Sequence, residues 1–89
     1  MIDLHIHPSL VRFTENQNKV ALTATFMNEI IPLLCDQFPR LGNMITTASG
    51  DLTPYINFYV NGKNIQSYAP ETRLSSNDKV DLVTALVGG

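Results

Sequence analysis

The part of the sequence best suited to chemistry is its ending, ALVGG, where an apolar run is followed directly by Gly88 and Gly89. One interpretation is a frayed terminus, because chain ends are commonly disordered and carry small residues. In the other interpretation the carboxylate of Gly89 is the reactive group, since two residues without Cβ atoms can enter a narrow active site in an extended conformation. The dipeptide by itself leaves both interpretations open.

Three polar residues near the N-terminus, Asp3, His5 and His7, occupy alternate positions and therefore share one face of a strand. Histidine and carboxylate side chains are zinc ligands, but three ligands on one straight strand are poorly placed for tetrahedral coordination. An exposed polar strand face explains the same pattern. We therefore predict no metal site.

The remaining reactive side chains do not form a recognisable catalytic set. Cys35 lies beside the apolar stripe of a helix with no histidine near it in sequence, so we expect it to pack as a small hydrophobic residue. Asp78 and Asp81 are too isolated to act as a general acid and base, and the sequence has no glycine-rich phosphate loop. The sequence thus predicts a protein that is not an enzyme and binds no cofactor.

Composition and charge exclude several classes of partner. The chain has 89 residues, 44% of them hydrophobic, and no linker-like segment, so we expect one domain. Six lysines and arginines are scattered among eight acidic residues, for a net charge of −2, which argues against nucleic-acid binding. The single cysteine excludes an internal disulfide. With no signal-like N-terminus and no apolar run of about 18 to 20 residues, we expect a cytoplasmic protein without membrane contact.

The first half of the chain predicts two strands and one helix. Strict alternation over 2–7 and again over 20–24 predicts strands that form an N-terminal hairpin. A four-residue period over 25–38 then predicts an amphipathic helix with Thr25 as its N-cap. Its apolar stripe comprises Phe26, Ile30, Leu34 and Phe38. Because Pro32 interrupts this span, we expect either a kink there or a later start of the helix.

The second half predicts a hairpin and a final strand. Breaker residues over 39–54 indicate an irregular connection with one short turn near 41–45. Strand formers over 55–60 precede Asn61-Gly62, the commonest two-residue hairpin turn, and a last strand runs over 79–87. A hairpin needs an apolar layer to cover it. We therefore expect a mixed sheet packed on the helix, with the first and last strands as central neighbours.

Four segments together resemble a known family. They are Val20-Ala21-Leu22 before the helix, Phe38-Pro39-Arg40-Leu41 after it, the hairpin from Ile56 to Gly62, and the ending from Leu74 to Gly89. In order and spacing they are similar to the ThiS/MoaD-type ubiquitin-like sulfur carriers, and closer to the molybdopterin-synthase small subunit and the cysteine-forming carriers than to the thiamine carrier. The resemblance implies an α+β, ubiquitin-like β-grasp fold over 1–89, with a mixed sheet of about four to five strands on one main helix. It also implies a flexible C-terminal Gly-Gly tail at 86–89.

In this family the terminal glycine carries the sulfur. The resemblance implies that an adenylating enzyme of the ubiquitin-activating type uses ATP to convert the Gly89 carboxylate into an acyl-adenylate, which a sulfur donor then converts into a thiocarboxylate. Gly88 allows the tail to enter that enzyme. The carrier then gives sulfide to a sulfur-accepting synthase in the biosynthesis of an amino acid or a molybdopterin-type cofactor. The chain is, on this interpretation, a protein co-substrate.

Docking on these partners is expected to use an apolar patch near the tail. The candidate docking residues are Val83, Ala85, Leu86 and Val87, which equally suit the ordinary face of a sheet. Two alternatives remain open. One is a ubiquitin-like modifier joined through Gly89 to lysines of other proteins, and the other is an interaction module that keeps the fold without the sulfur chemistry.

Overall fold

A five-stranded mixed sheet forms the main layer of the protein, and the computed structural model describes residues 1–84. The strands are β1 (Ile2–Ile6), β2 (Lys19–Leu22), β3 (Ile56–Val60), β4 (Lys63–Asn64) and β5 (Lys79–Thr84). The helices are α1 (Ile30–Gln37) and α2 (Pro39–Ile45), with short 3₁₀ helices at Pro8–Phe13, Met27–Glu29 and Ile65–Ser67. The strand order is β2-β1-β5-β3-β4, in which β1 and β5 are parallel and the other neighbours are antiparallel. The predicted α+β class and the central pairing of the first and last strands are confirmed.

One face of the sheet packs on the helices and forms the core. Side chains in β1 alternate between buried and exposed, with Leu4 completely buried, because successive residues of a strand point to opposite faces. The central strand β5 repeats the pattern with Val80 and Leu82, and α1 contributes Ile30 and Leu34. Each fully buried aliphatic side chain of this kind contributes about 1.5–3 kcal/mol to stability. The core therefore holds β5 firmly in the middle of the sheet.

The main helix starts later than its apolar period predicts. α1 begins at Ile30, so Pro32 occupies the first turn, where a backbone N–H has no partner within the helix and proline is tolerated. The predicted N-cap role of Thr25 is wrong. Instead, Glu29 Oε1 accepts hydrogen bonds from the backbone N–H groups of Phe26 and Thr25, each at 2.8 Å. These two bonds hold the pKa of Glu29 below its ordinary value, because they favour the ionised carboxylate.

Phe26 does not belong to the fully buried stripe. It is half-buried and forms an antiparallel bridge with Arg73, whose guanidinium carbon lies 5.3 Å from the ring centroid. The next residue, Met27, is buried, and its N–H donates to the Thr72 carbonyl at 2.8 Å. The backbone at Phe26 is extended and is followed by a 3₁₀ turn. The four-residue period of α1 therefore does not extend back to this residue.

A second short helix replaces the first part of the irregular connection expected after α1. Pro39 occupies the first position of α2, where its fixed φ suits a helix. Its lack of an N–H costs no hydrogen bond there, because an N–H at this position has no acceptor within the helix. Gly42 lets α2 pack closely on α1, since a Cβ there would lie 3.0 Å from Cys35 Cβ. Cys35 is itself half-buried against the core, and burial raises the pKa of its thiol. That environment agrees with the predicted packing role.

The Asn61-Gly62 turn joins β3 to β4, as predicted. Both residues have positive φ, +53° for Asn61 and +83° for Gly62, as a type I′ turn requires. Asn61 also anchors the start of β5, because its Nδ2 donates to Asp78 Oδ1 at 2.9 Å and its Oδ1 accepts from the Lys79 N–H at 2.9 Å. Asp78 Oδ2 accepts in turn from the Ser75 N–H at 2.8 Å. These bonds fix the point where the central strand begins.

Replacing Asp78 with asparagine is expected to remove one pH-dependent part of the stability. The Ser75 N–H and the Asn61 amide favour the ionised carboxylate and hold the pKa of Asp78 below its ordinary value of 3.8. This contribution is present above the unfolded-state pKa and is lost as the pH falls through the lower folded-state pKa. Because the carboxylate is close to solvent, it amounts to less than about 1 kcal/mol. Urea unfolding of both proteins between about pH 2 and pH 6 measures it, and an identical pH dependence in the two would contradict this assignment.

Candidate functional site

The central strand β5 carries the chain towards the predicted tail. On one side, Ile6 is the parallel partner of Leu82, and the His7 N–H donates to the Leu82 carbonyl at 3.0 Å. On the other side, Ile56 pairs antiparallel with Thr84. Because hydrogen-bonded neighbours lie on both sides, the position and direction of β5 are fixed at its C-terminal end.

Most of the predicted site residues follow directly after this strand. The residues that lie outside the described part of the chain are Ala85, Leu86, Val87, Gly88 and Gly89. Their predicted roles in docking and in carrying sulfur stay predictions. The structure places the origin of that segment at Thr84, the last residue of the central strand.

Val83 is the one predicted docking residue within the described part of the chain, and it lies on the outer face of the sheet. It is half-buried and lines a shallow depression of about 270 Å³ together with His5, His7, Tyr59 and Asp81. The strand register places Asp81 between His5 of β1 and Tyr59 of β3. Val83 and Tyr59 therefore provide apolar surface beside a carboxylate and two imidazoles, next to the end of β5.

His7 has a structural role at the rim of this depression. Its Nδ1 accepts a hydrogen bond from the backbone N–H of Ser9 at 3.1 Å and lies 2.8 Å from the Ser9 hydroxyl oxygen. The imidazole thereby caps the 3₁₀ helix at Pro8–Phe13. His5 is exposed on the strand itself, as its alternation predicted. The two histidines thus differ in their surroundings although they are two residues apart.

A second groove lies on the helical side of the same strand end. It has a volume of about 360 Å³ and is lined by Ser9, Leu10, Arg12, Met44, Tyr55, Ile56 and Thr84. The 3₁₀ helix at Pro8–Phe13 and α2 form two of its walls. Sequence reasoning missed this groove, because its walls come from segments that only tertiary packing brings together. The end of β5 therefore lies between an outer depression and an inner groove.

The described residues hold the C-terminal end of β5 in place. Within residues 1–84, no group of three or more His, Cys, Asp or Glu side chains is arranged to hold a metal ion. Among the same residues, no helix has the length and apolar character needed to cross a membrane. Burial raises the pKa of the Cys35 thiol, which disfavours the thiolate form that a nucleophile needs. What this arrangement can do is hold the start of the C-terminal segment in place beside two recognisable surfaces.

Sequence similarity to another protein shows the family. The chain is 35% identical over 65 residues to a protein of Archaeoglobus fulgidus that is named as a sulfur carrier protein, and the match covers 71% of this chain and 73% of the relative. The chain belongs to the ThiS/MoaD-type ubiquitin-like sulfur carriers. The family predicted from the sequence segments is therefore confirmed. No family model matches the chain.

Solved structures show the same fold. A chain of the BexX/CysO complex from Amycolatopsis orientalis has a TM-score of 0.80 at 20% identity, with 100% of both chains covered. SAMP1 from Haloferax volcanii has a TM-score of 0.79 at 18% identity, covering 99% of this chain and 98% of that protein. CysO from Mycobacterium tuberculosis has a TM-score of 0.78 at 21% identity, covering 97% and 100%. These likenesses confirm the β-grasp fold of the sulfur carrier and, at such identities, the fold alone.

Proposed function

We propose that this sulfur carrier delivers sulfide as a thiocarboxylate on Gly89. In the first step, the Gly89 carboxylate attacks the α-phosphate of ATP within an adenylating enzyme, and pyrophosphate leaves. Hydrogen sulfide released by a sulfur donor then attacks the acyl-adenylate carbonyl through its sulfur, AMP leaves with the C–O bond broken, and after loss of the sulfur-bound protons the thiocarboxylate remains on the chain. A sulfur-accepting synthase takes the sulfide for an amino acid or a molybdopterin-type cofactor, and hydrolysis restores the carboxylate. The chain itself holds no cofactor and acts as a co-substrate.

The observation that supports this proposal is the 35% sequence identity to the sulfur carrier protein of Archaeoglobus fulgidus, combined with the position of β5. In the described part of the chain the central strand ends at Thr84, and five residues, 85–89, follow it in sequence. Fully extended, five residues reach at most about 17 Å. That length is enough to place a carboxylate inside a partner's active site while the folded body stays outside. Glycines at the last two positions suit a narrow channel, because no Cβ limits backbone approach.

The outer depression around Val83 is the surface that we assign to partner docking. It combines two apolar side chains, Val83 and Tyr59, with the charge of Asp81. Apolar surface with a polar rim is the usual composition of a transient interface. The depression also borders the C-terminal end of β5, so a partner that binds the C-terminal segment comes close to the depression.

Replacing Val83 with aspartate is expected to weaken docking. A charged group in the centre of an apolar contact loses its hydration when the partner binds, so we expect the KM of the adenylating enzyme for the carrier to rise about tenfold with kcat unchanged. Ala21→Asp is the matched control, because Ala21 is exposed at the edge strand β2 and the variant adds the same charge. Steady-state kinetics of thiocarboxylate formation measures both. Equal KM values for the two variants would count against this docking surface.

The proposal differs from its two alternatives in measurable ways. A modifier leaves isopeptide-linked Gly-Gly remnants on lysines of other proteins, whereas a carrier leaves none. SAMP1 bears the name of a small archaeal modifier in other solved structures, but at 18–21% identity it shares only the fold with this chain. An interaction module, in contrast, works equally well without Gly89.

Release of pyrophosphate from ATP tests the proposed first step. The adenylating enzyme is incubated with ATP and either the wild-type chain or a chain that lacks Gly89. We expect release that depends on the wild-type chain and stops in the shortened one. Release at the same rate with both chains, or with neither, would refute activation at Gly89.

A further inference from the structure

Two arginines flank one aromatic ring where α1 meets α2. The guanidinium carbon of Arg12 lies 5.0 Å from the centroid of the Phe13 ring, and that of Arg40 lies 6.0 Å from it. Both distances are within the range of a cation–π contact. The 3₁₀ helix at Pro8–Phe13 supplies Arg12 and Phe13, and the first turn of α2 supplies Arg40. We name these three residues the arginine cluster.

The arginine cluster lines a groove with a net positive charge. The groove has a volume of about 230 Å³, and its other lining residues are Glu15, Gln37, Phe38 and Pro39. The lining contains two arginines and one glutamate, so its net charge is positive, whereas the net charge of the whole chain is −2. In the part of the chain that the structure describes, no ion pair joins Arg12 or Arg40 to a carboxylate. Within residues 1–84, no carboxylate therefore neutralises these two guanidinium groups through an ion pair.

The chemistry of the cluster suits carboxylates. A guanidinium stacked on a ring keeps its N–H edge available, and that edge binds a carboxylate with two parallel hydrogen bonds. The half-buried ring of Phe13 adds apolar contact area for an aliphatic or aromatic neighbour of the acidic residue. A nucleic acid suits the groove less well, because a phosphate backbone needs a longer stripe of cations. The other basic residues are not part of the cluster: Lys19, Lys63 and Lys79 lie on β2, β4 and β5, and Arg73 forms an isolated bridge with Phe26.

The cluster is continuous with the end of the central strand. Arg12 also lines the inner groove that contains Thr84, so it lies between the arginine cluster and the start of the C-terminal segment. Arg12 therefore borders both the groove of the arginine cluster and the groove at the start of the C-terminal segment. A partner that receives the Gly89 carboxylate approaches the folded body at this end of β5, which brings its surface close to the arginine cluster.

We propose that the arginine cluster binds an acidic segment, rich in aspartate and glutamate, on the enzyme that adenylates Gly89. This inference rests on the proposed function and adds the charge of the partner's surface. It places a second contact on the helical side of the strand end, opposite the docking depression at Val83. The two contacts together hold the folded body on both sides of the tail.

Charge reversal tests the proposal with a matched control. One double variant carries Arg12→Glu and Arg40→Glu. The control carries Lys63→Glu and Arg73→Glu, which change the net charge equally and also remove an arginine stacked on a ring, at the other end of α1. The probe is a purified adenylating enzyme of the ubiquitin-activating type that demonstrably activates another carrier. Circular dichroism confirms folding of each variant, and a third variant, Arg12→Gln with Arg40→Gln, keeps the test valid if the reversal unfolds the protein.

We expect the reversal to raise the KM for the carrier about tenfold with kcat unchanged, and the control to leave KM within about twofold. The neutral variant is expected to fall between them, and added salt is expected to raise the wild-type KM but not that of the reversal. Equal KM values for the reversal and the control would overturn the docking site. In that case, full loading at saturating carrier still supports the chemistry at Gly89. An enzyme that loads no chain at all refutes the proposed function, and the docking site with it.

Discussion

Replacing Gly88 with valine is expected to lower the rate of thiocarboxylate formation about 100-fold. A β-branched side chain at the penultimate position keeps the backbone away from the walls of a narrow channel, and a displacement of about 1 Å from the reactive geometry costs a factor of this size. Thermal unfolding of the variant and the wild type separates an effect on the rate from an effect on folding. Initial rates with ATP, the adenylating enzyme and a sulfide source measure the effect.

The matched control for Gly88→Val is Ala48→Val, which adds the same branching at an exposed position of the segment between α2 and β3. Its rate is expected to equal that of the wild type. Full activity of Gly88→Val would mean that the tail is not threaded through a confined site. The proposed role of Gly88 in admitting the tail to the adenylating enzyme would then be wrong, whereas the chemistry at Gly89 would stand.

Replacing Phe58 with alanine is expected to destabilise the protein by about 3–5 kcal/mol. Phe58 is completely buried in β3 and is the direct partner of Leu82 in the central strand. The cost combines the lost transfer free energy of the ring with the cavity that remains. Because small domains have a total stability of only about 5–15 kcal/mol, much of the folding free energy is lost. Urea denaturation measures the change.

Tyr59→Ala is the matched control for Phe58→Ala, because Tyr59 is an aromatic residue of the same strand on the opposite, half-buried face. It is expected to cost less than half as much as Phe58→Ala. Similar losses for the two variants would contradict the assignment of the core to the helical face of the sheet. Removal of the Tyr59 ring is nevertheless expected to weaken docking at the outer depression.

The strands were predictable because each carries a strong local pattern. Alternation of apolar and polar residues marked β1 and β5, and Asn61-Gly62 marked the hairpin between β3 and β4, since few other residue pairs adopt two positive φ values in succession. The central pairing of β1 with β5 followed from the need to cover a hairpin with an apolar layer. The alternation and the turn are signals that lie within a few residues of sequence, whereas the β1–β5 pairing joins residues at opposite ends of the chain.

The helical layer was harder to predict, because its boundaries depend on contacts distant in sequence. The apolar period extended back to Phe26, but that residue is extended and pairs with Arg73. Pro39 and Gly42 were interpreted as breakers of regular structure. In α2, however, Pro39 occupies the first position of the helix and Gly42 permits close packing on Cys35. Composition alone does not distinguish these uses of proline and glycine.

The candidate site was predictable only in part. The sequence indicated the two terminal glycines and Val83, because they lie in one continuous segment. It did not indicate that Tyr59 and Asp81 share a depression with Val83, since this depends on the register between β3 and β5. Arg12 and Arg40 are brought to one ring only by the packing of α2 on the 3₁₀ helix that contains Arg12. Contacts across elements therefore had to come from the structure.

The measurement that tests the central claim most directly is intact mass spectrometry of the chain after incubation with ATP, the adenylating enzyme and a sulfide source. The account predicts a mass gain equal to the exchange of one oxygen for one sulfur, absent when Gly89 is deleted and reversed when a sulfur-accepting synthase is added. An unchanged mass, with an enzyme that demonstrably activates another carrier, would contradict the account.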